Sequence, residues 1–445
     1  MDTTLYEPDI TAYTKPEVDI TITELSRVTS LTWLQTFIDD MSTTSSSNLS
    51  KTLPKTLHEA YVHSDISMLP MYTLPTPDKQ NLLQGEVICL ELGGSTFRCG
   101  LVNFDKGTVE VTHLKSWIIE EHEKIINSKF FDDIVERCMT VPSFNKFLSN
   151  SDAPMAVTWS FPTDQDGKIV AMGKGWSVRD GYQNLSVSAM IESGFKRYGS
   201  PVKVRKVIND SVSTALAGMA SGELSMSLIL GTGVNICFQL KNTLLNTEIG
   251  FFGGLEHPTK YDMLLDDRWL HFDSPWNVNN NDNLFQPFEL LTGGRHICEL
   301  FRLVWEDLTN VDEVSLPELA FGRHQLCGKF FCLFSSVEHT DSYIIAEASK
   351  KYGVTLTTSQ VICLRKVVTS ILQRSGSYVR QAIFSIYEFY TGIAPSRETE
   401  ISVPYTGSFL QYCSAYQKAI VEGTSIRLRL IEDSSVIGGA VAAIL

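Results

Sequence analysis

Asp210 closes the tripeptide Ile208-Asn209-Asp210, where an apolar run gives way to a segment with helical spacing. A carboxylate at the C-terminal end of a strand points into the crevice where α/β sheets bind ligands. There it could take the proton of an alcohol. With an ordinary pKa of about 3.9, an aspartate is a poor base toward a free alcohol. It works late in a phosphoryl transfer, once the oxygen has begun to bond to phosphorus, and by holding the hydroxyl in line. Asp210 could equally cap the helix that follows, with Ser211 beside it, and the residue types alone leave both roles open.

Two glycine turns could supply the phosphate side of such chemistry. In Leu90-Glu91-Leu92-Gly93-Gly94-Ser95-Thr96-Phe97-Arg98, an apolar run feeds Gly93 and Gly94, whose backbone can turn sharply and present N–H groups to an anion. Leu230-Gly231-Thr232-Gly233-Val234-Asn235 repeats the device and adds the Thr232 hydroxyl. Each alone also describes an ordinary β-hairpin. A third glycine-rich stretch, Ile437-Gly438-Gly439-Ala440, opens the last expected helix and tips the set toward phosphate. Ser160-Phe161-Pro162 is followed by Met172-Gly173-Lys174-Gly175-Trp176, which puts a lysine between small residues. That is a cation in a tight loop or a solvated turn lysine. Glu248 in Thr247-Glu248-Ile249-Gly250 and Glu289 in Pro287-Phe288-Glu289 each stand beside apolar residues at an element end. A carboxylate there can accept from two neighbouring hydroxyls, or simply sit at a helix N-terminus.

The elements that must position these residues follow from periodicity. Residues 85–104 read as strand, tight turn and strand, and further strands are expected at Met155–Phe161, Val202–Ile208, Met226–Leu230 and Val234–Leu240. Helical patterns lie between them at Phe130–Met139, Leu185–Tyr198 and Val212–Ser221. Alternation of this kind indicates an α/β architecture. The C-terminal third reads as mostly helical, over Phe288–Trp305 and Thr358–Tyr390, with short strands at Glu400–Val403 and Ile426–Ile431. Before the first strand, residues 1–20 read as a tail and 22–41 as a helix. The Ser/Thr-rich segment 41–52 reads as a loop, residues 53–64 as a short helix, and the proline-punctuated run 67–80 as a surface crossing.

Composition narrows the class. The chain has 445 residues and a formal net charge of −14, which argues against nucleic acid as the main partner but leaves room for one nucleotide. Nine cysteines are scattered without metal-ligand spacing, as reduced thiols in a cytoplasmic protein would be. No signal-peptide pattern or apolar run of membrane length occurs, so no membrane partner is expected.

Taken in order, these segments resemble the hexokinase family from about Ser67 to the last residue. The resemblance rests on SMLP at 67–70, LELGGSTFR at 90–98, SFP at 160–162, GKG at 173–175, IND at 208–210 and LGTGVN at 230–235. It continues through NTEIGFFGG at 246–254, KYDMLLD at 260–266, QPFELLTGGRHICELFRL at 286–303, YTGSF at 405–409 and EDSSVIGGAVAA at 432–443. It implies a two-lobed, actin-like (ribonuclease H-like) ATPase fold around a central cleft, and ATP-dependent phosphorylation of a hexose or hexosamine at its 6-hydroxyl. The implied layout is a tail at 1–20, a helical segment at 21–84 on the large lobe, a small lobe at 85–207, a large lobe at 208–431, and a helix at 432–445 returning to the small lobe. Asp210 would be the general base, with Lys174 beside it. Ser160, Phe161, Lys174, Asn209, Asp210, Asn235, Glu248 and Glu289 would hold the sugar. Gly93, Gly94, Ser95, Thr96, Arg98, Gly231, Thr232, Gly233, Gly407 and Ser408 would line the ATP site, with Mg²⁺ facing Glu91 through water. Arg98 is equally suited to a structural salt bridge. A monomer or homodimer is implied.

Five positions depart from the family pattern. Glu91 stands where an Asp is usual, Ser95-Thr96 replace Thr-Asn, Gly173 replaces a Thr, and Thr406 replaces an Asp in the adenosine turn. The loss of a side chain at 173 suggests room for a bulkier 2-substituent, as in N-acetylglucosamine, with glucose the other leading substrate. The changes at 91 and 406 motivate a second reading, a sugar-sensing or regulatory protein with little turnover. A glycerol or acetate kinase is disfavoured by the SFP–GKG pair and the FE–LLTGG segment.

Overall fold

The computed structural model describes residues 32–45, 49–74, 84–105, 108–149, 154–163, 167–169, 172, 174–182, 185–220, 226–255, 257–270 and 285–445. The expected tail, the first half of the 22–41 helix and Gly173 lie outside these residues.

The expected strand pair is Gly85–Leu92 running antiparallel to Thr96–Asp105. Thr108–Ile118 extends it antiparallel on one side, while Pro154–Trp159 and Lys203–Asn209 extend it in parallel on the other. Alternate residues of the first strand face opposite ways. Ile88, Leu90 and Leu92 pack with Phe130, Phe131, Met190 and Ile191 of the Ser128–Met139 and Val187–Arg197 helices. Val87 and Cys89 pack with Val212, Leu216, Val436 and Ala440, from the Asp210–Ala220 and Ser434–Ile444 helices. This five-stranded sheet, covered on both faces, is called the small lobe below.

The large lobe carries a six-stranded sheet in the order Leu69–Thr73, Thr243–Asn246, Val234–Leu240, Met226–Leu230, Ile401–Thr406, Ile426–Leu430. Its core joins Leu228, Leu230, Ile236 and Phe238 to Val367, Ile371 and Tyr378 of the 34-residue helix Thr358–Thr391. That helix also carries Arg374, whose guanidinium meets both carboxylate oxygens of Asp262 at 2.9 Å. Both side chains are 1% exposed. Breaking a buried pair strands a charge, so Asp262→Ala should lose about 3–5 kcal/mol of unfolding free energy in a urea titration.

Several sequence expectations are corrected. Residues 41–45 and 49–52 are helical, within Thr32–Ser45 and Leu49–His63, because Leu34, Phe37 and Met41, then Leu49, Leu53, Leu57 and Ala60, bury one face each. In the run expected to cross a surface at 67–80, residues 67–74 are described and are no mere crossing, while 75–80 lie outside the described residues. Leu69–Thr73 is an edge strand, and an edge tolerates Pro70 because no further strand needs its missing N–H. Phe288–Trp305 is two helices, Pro287–Thr292 and Gly294–Leu308, broken at the extended residue Gly293. Gly438 and Gly439 belong to helix packing, not to a phosphate turn. A Cβ on Gly438 would fall 1.8 Å from the Ser213 carbonyl oxygen, and one on Gly439 would fall 2.6 Å from Cys89 Sγ.

Candidate active site

The two glycine turns meet between the lobes. Gly93 N–H closes the first by donating to the Thr96 carbonyl, and Gly231 N–H closes the second on the Gly233 carbonyl, both at 2.9 Å. The Ser95 and Thr232 hydroxyls lie 2.8 Å apart. Each turn is therefore a β-hairpin tip and a cavity wall at once. The cavity, of about 370 Å³, is lined by Gly93, Gly94, Ser95, Thr96, Arg98, Gly231, Thr232, Gly233, Gly407 and Ser408, together with Glu91, Ser160, Lys174 and Asp210. Gly407 has φ +123°, and a Cβ there would fall 2.3 Å from the Leu230 carbonyl oxygen. Only glycine lets that turn lie against the end of the Met226–Leu230 strand. A second cavity, of about 360 Å³, shares Ser95, Gly231, Thr232, Ser408 and Tyr412 with the first and adds an apolar wall of Leu326, Gly328, Phe409 and three cysteines.

Asp210 begins its helix directly after the Lys203–Asn209 strand and is 7% exposed. Burial pushes its carboxyl pKa up, against the Lys174 charge and hydrogen bonds from Ser160 and Ser211, with Glu91 adding to the rise. A raised pKa makes it a better base than an exposed aspartate. The capping role falls instead to Asn209, whose Oδ1 accepts from Ser211 N–H at 2.9 Å. Lys174 holds a left-handed backbone, φ +60°, which costs a non-glycine residue about 1–3 kcal/mol. Its Nζ donates to the Ser160 carbonyl at 2.9 Å and stands 5.2 Å from the centre of the Phe161 ring. Phe161 is buried among Trp159 and Trp176, so it supports the lysine and lines neither cavity.

A polar cluster adjoins Asp210. Glu248 Oε1 accepts from Asn246 Nδ2 at 2.8 Å and from Asn209 Nδ2 at 3.3 Å, and Asn235 Nδ2 donates to Asn246 Oδ1 at 2.9 Å. Glu248 is itself left-handed, φ +46°. Glu289 accepts from Val234 N–H at 3.3 Å and faces His296 Nε2 at 3.8 Å. Burial raises its pKa, but His296, Lys174 and the Val234 N–H outweigh that and leave it below the ordinary glutamate value. The Gly293 break brings Glu289 here. Beyond it, Gly294 N–H donates to the Gly231 carbonyl at 2.9 Å and Arg295 N–H to the Thr232 carbonyl at 3.1 Å.

Arg98 lines the cavity, yet its guanidinium is engaged. It meets Glu91 Oε2 at 2.5 Å and Asp433 Oδ1 at 2.9 Å. Sequence reasoning missed Asn246, Arg295, His296, Glu121, Lys124 and Tyr412. Asn246, Arg295 and His296 stand inside motif segments that had been singled out, and only their contacts separate them from neighbouring residues.

Two hexokinase family models match the chain, over residues 29–220 and 225–445. The chain belongs to the hexokinase family. Phosphorylation of a sugar by ATP, expected from the sequence, is the activity of this hexokinase-family chain. Among its relatives is N-acetylglucosamine kinase 1 of Candida albicans, 31% identical over 86% of each chain. Hexokinase-3 of Mus musculus is 25% identical over 80% of this chain, which spans only 40% of that longer protein. A hexokinase from Schistosoma mansoni, solved in complex with glucose, shares the fold with a TM-score of 0.70 at 20% identity, covering 95% of this chain and 98% of that one. Among the described residues, no helix is long and apolar enough to cross a membrane.

Proposed function

We propose that this hexokinase-family enzyme transfers the γ-phosphoryl group of ATP to the 6-hydroxyl of N-acetylglucosamine in preference to glucose. The single observation that carries the chemistry is Asp210: a buried carboxylate of raised basicity, lining the same cavity as both glycine turns. The preference for the acetamido sugar rests on the resemblance to the Candida albicans kinase.

In this reading the sugar lies against Asn209, Asn235, Glu248 and Glu289, with Ser160 and Lys174 over it, and Asp210 receives the 6-hydroxyl proton as the oxygen bonds to phosphorus. The turns at 93–96, 231–233 and 407–408 present N–H and hydroxyl groups to the phosphates. The apolar second cavity takes adenine. Closure of the two lobes excludes water, the competing acceptor.

The residues present suit Mg²⁺. Glu91 and Asp210 are the carboxylates lining the cavity, and no group of three His, Cys, Asp or Glu comes together among the described residues. Magnesium keeps water and phosphate oxygens as ligands and asks for only one or two carboxylates. Held by the phosphates and by Glu91 through water, it would supply neutralisation of the charge on the transferring group.

A coupled ADP-release assay across glucose, mannose, fructose, glucosamine and N-acetylglucosamine tests the proposal. The expected result is the highest kcat/KM on N-acetylglucosamine, and a strong preference for glucose would overturn the substrate assignment. The second reading, a sugar sensor with little turnover, is favoured by the grip of Arg98 on Glu91. Sugar binding with no turnover on any member of the panel would select it.

Sugar affinity should also depend on pH. Burial pushes Glu248 up to about 7, with Asp210 and Glu289 adding to the rise, and the Asn246 amide and Lys174 opposing it. Sugar hydroxyls donate to the ionised form, so binding is full above that value and lost as pH falls through it. The decline approaches tenfold per unit well below the pKa. Titrations of sugar on either side of pH 7 should show this for the wild type, and Glu248→Gln should flatten the profile.

A further inference from the structure

Lys124 is a largely buried cation at the wall of the second cavity, beside Glu121 and Arg295, and the reading above gives it no role. Its side chain is 2% exposed. The ammonium reaches Glu121 Oε1 at 2.6 Å and donates to the main-chain carbonyl of Lys174 at 3.2 Å. Its own carbonyl accepts from Ser177 N–H at 3.0 Å, so one residue grips the lysine loop at both ends. The loop needs holding, because Lys174 and Gly175 are both left-handed, with φ +60° and +86°.

Glu121 carries the contact across to the large lobe. It accepts from Arg295 Nη1 at 2.9 Å, and the Arg295 N–H donates to the Thr232 carbonyl at 3.1 Å. Gly175 is pressed into the junction. A Cβ there would lie 3.1 Å from both Arg295 Nη2 and Glu121 Oε2. The links run unbroken from the Gly231–Gly233 turn through Arg295, Glu121 and Lys124 to the backbone of Lys174.

An ion at this depth is expensive, since taking an ammonium from water costs several kcal/mol unless it is paired. Glu123 precedes Lys124 and Ile125 and Ile126 follow, so burial alone does not call for a charge at this position. An ammonium adds direction: it donates to one carboxylate and one carbonyl at once, and so fixes where that carbonyl points.

We propose that Lys124 is a positioning residue for phosphoryl transfer: it sets the Lys174 loop and, through Glu121 and Arg295, ties that loop to the nucleotide-side turn of the opposite lobe. The proposal rests on the reading of Lys174 as a sugar-site residue.

The test is amide hydrogen exchange on the full chain, read over residues 174–178, with sugar kinetics measured in parallel. Lys124→Met should speed exchange in 174–178 about tenfold, the loss of one charge-assisted hydrogen bond, and leave the six-stranded sheet unchanged. The kinetic signature is a fall in kcat of about tenfold, larger than any rise in the KM for ATP, with most of both effects restored in Lys124→Arg. Glu121→Gln, at a residue whose side chain is 60% exposed, puts no burden on folding and should loosen the same segment. Wild-type protection of 174–178 in both Lys124→Met and Glu121→Gln would overturn the proposal. So would acceleration spread evenly over the chain, or an arginine variant no better than methionine. A wild type inactive on every sugar would sink the kinase reading alone, since exchange over 174–178 still decides whether the tie exists.

Discussion

Asp210→Ala should turn over sugar about 10²–10⁴-fold more slowly than the wild type, with sugar affinity little changed. The loss is expected because no other carboxylate occupies the same place. Glu91 lines the same cavity but is held by Arg98, and Glu248 accepts from the amides of Asn209 and Asn246. Asp210 is also buried at the start of a helix, and truncating it to alanine would leave its partners Ser160 and Ser211 short of an acceptor, at a cost of about 1–3 kcal/mol of stability whatever the chemistry. Asp210→Asn separates the two. Asparagine keeps the side chain's size and one accepting oxygen, so its unfolding midpoint should stay close to that of the wild type while its kcat falls as far as that of the alanine variant. An asparagine variant retaining more than about a tenth of the activity would remove Asp210 from the base role.

Gly233→Ala should be the second severe lesion. A Cβ at this position would stand 2.2 Å from Glu289 Oε2 and 2.6 Å from Lys174 Cε, so one methyl group displaces a sugar-side acid and the loop lysine together. Misplacement of about 1 Å can cost about 10²-fold in rate, and kcat/KM is expected to fall at least that far. Gly231→Ala, two residues away on the same turn, is the matched control. Its Cβ would meet Gly407 Cα at 3.5 Å, ordinary contact, and its effect should be a few-fold at most. Similar kcat/KM for the two variants would show that neither Glu289 nor Lys174 needs its present place.

Much of the site was legible in sequence because its parts sit at strand ends. The runs before Gly93, Gly231 and Asp210 are apolar enough to declare strands, and the polar residues that follow declare the ends. What stayed hidden depends on distance through space. Lys124 and Glu121 lie in a stretch of mixed charge, and only the fold brings them to Lys174 and Arg295. Glycine was ambiguous for a related reason. Gly93-Gly94 and Gly438-Gly439 are the same dipeptide, one serving a turn and the other a close helix contact. The Thr108–Ile118 strand escaped because it is largely exposed and its apolar residues do not alternate cleanly, whereas burial of Leu49, Leu53 and Leu57 overrode a Ser/Thr-rich composition.

The helix Ser434–Ile444 seals one face of the small lobe against Cys89, Thr158 and the Asp210–Ala220 helix. The surfaces it covers are all translated more than 200 residues earlier. At about 5–20 residues per second, the ribosome exposes that apolar seam for on the order of ten seconds or more before its cover exists. Until then the nascent helix bearing Asp210 has one side bare. Biogenesis of this enzyme should therefore depend on a chaperone holding that seam. A chain stalled before residue 434 should be captured by such a factor and degraded, even though nearly every residue assigned here to sugar and ATP has already been made.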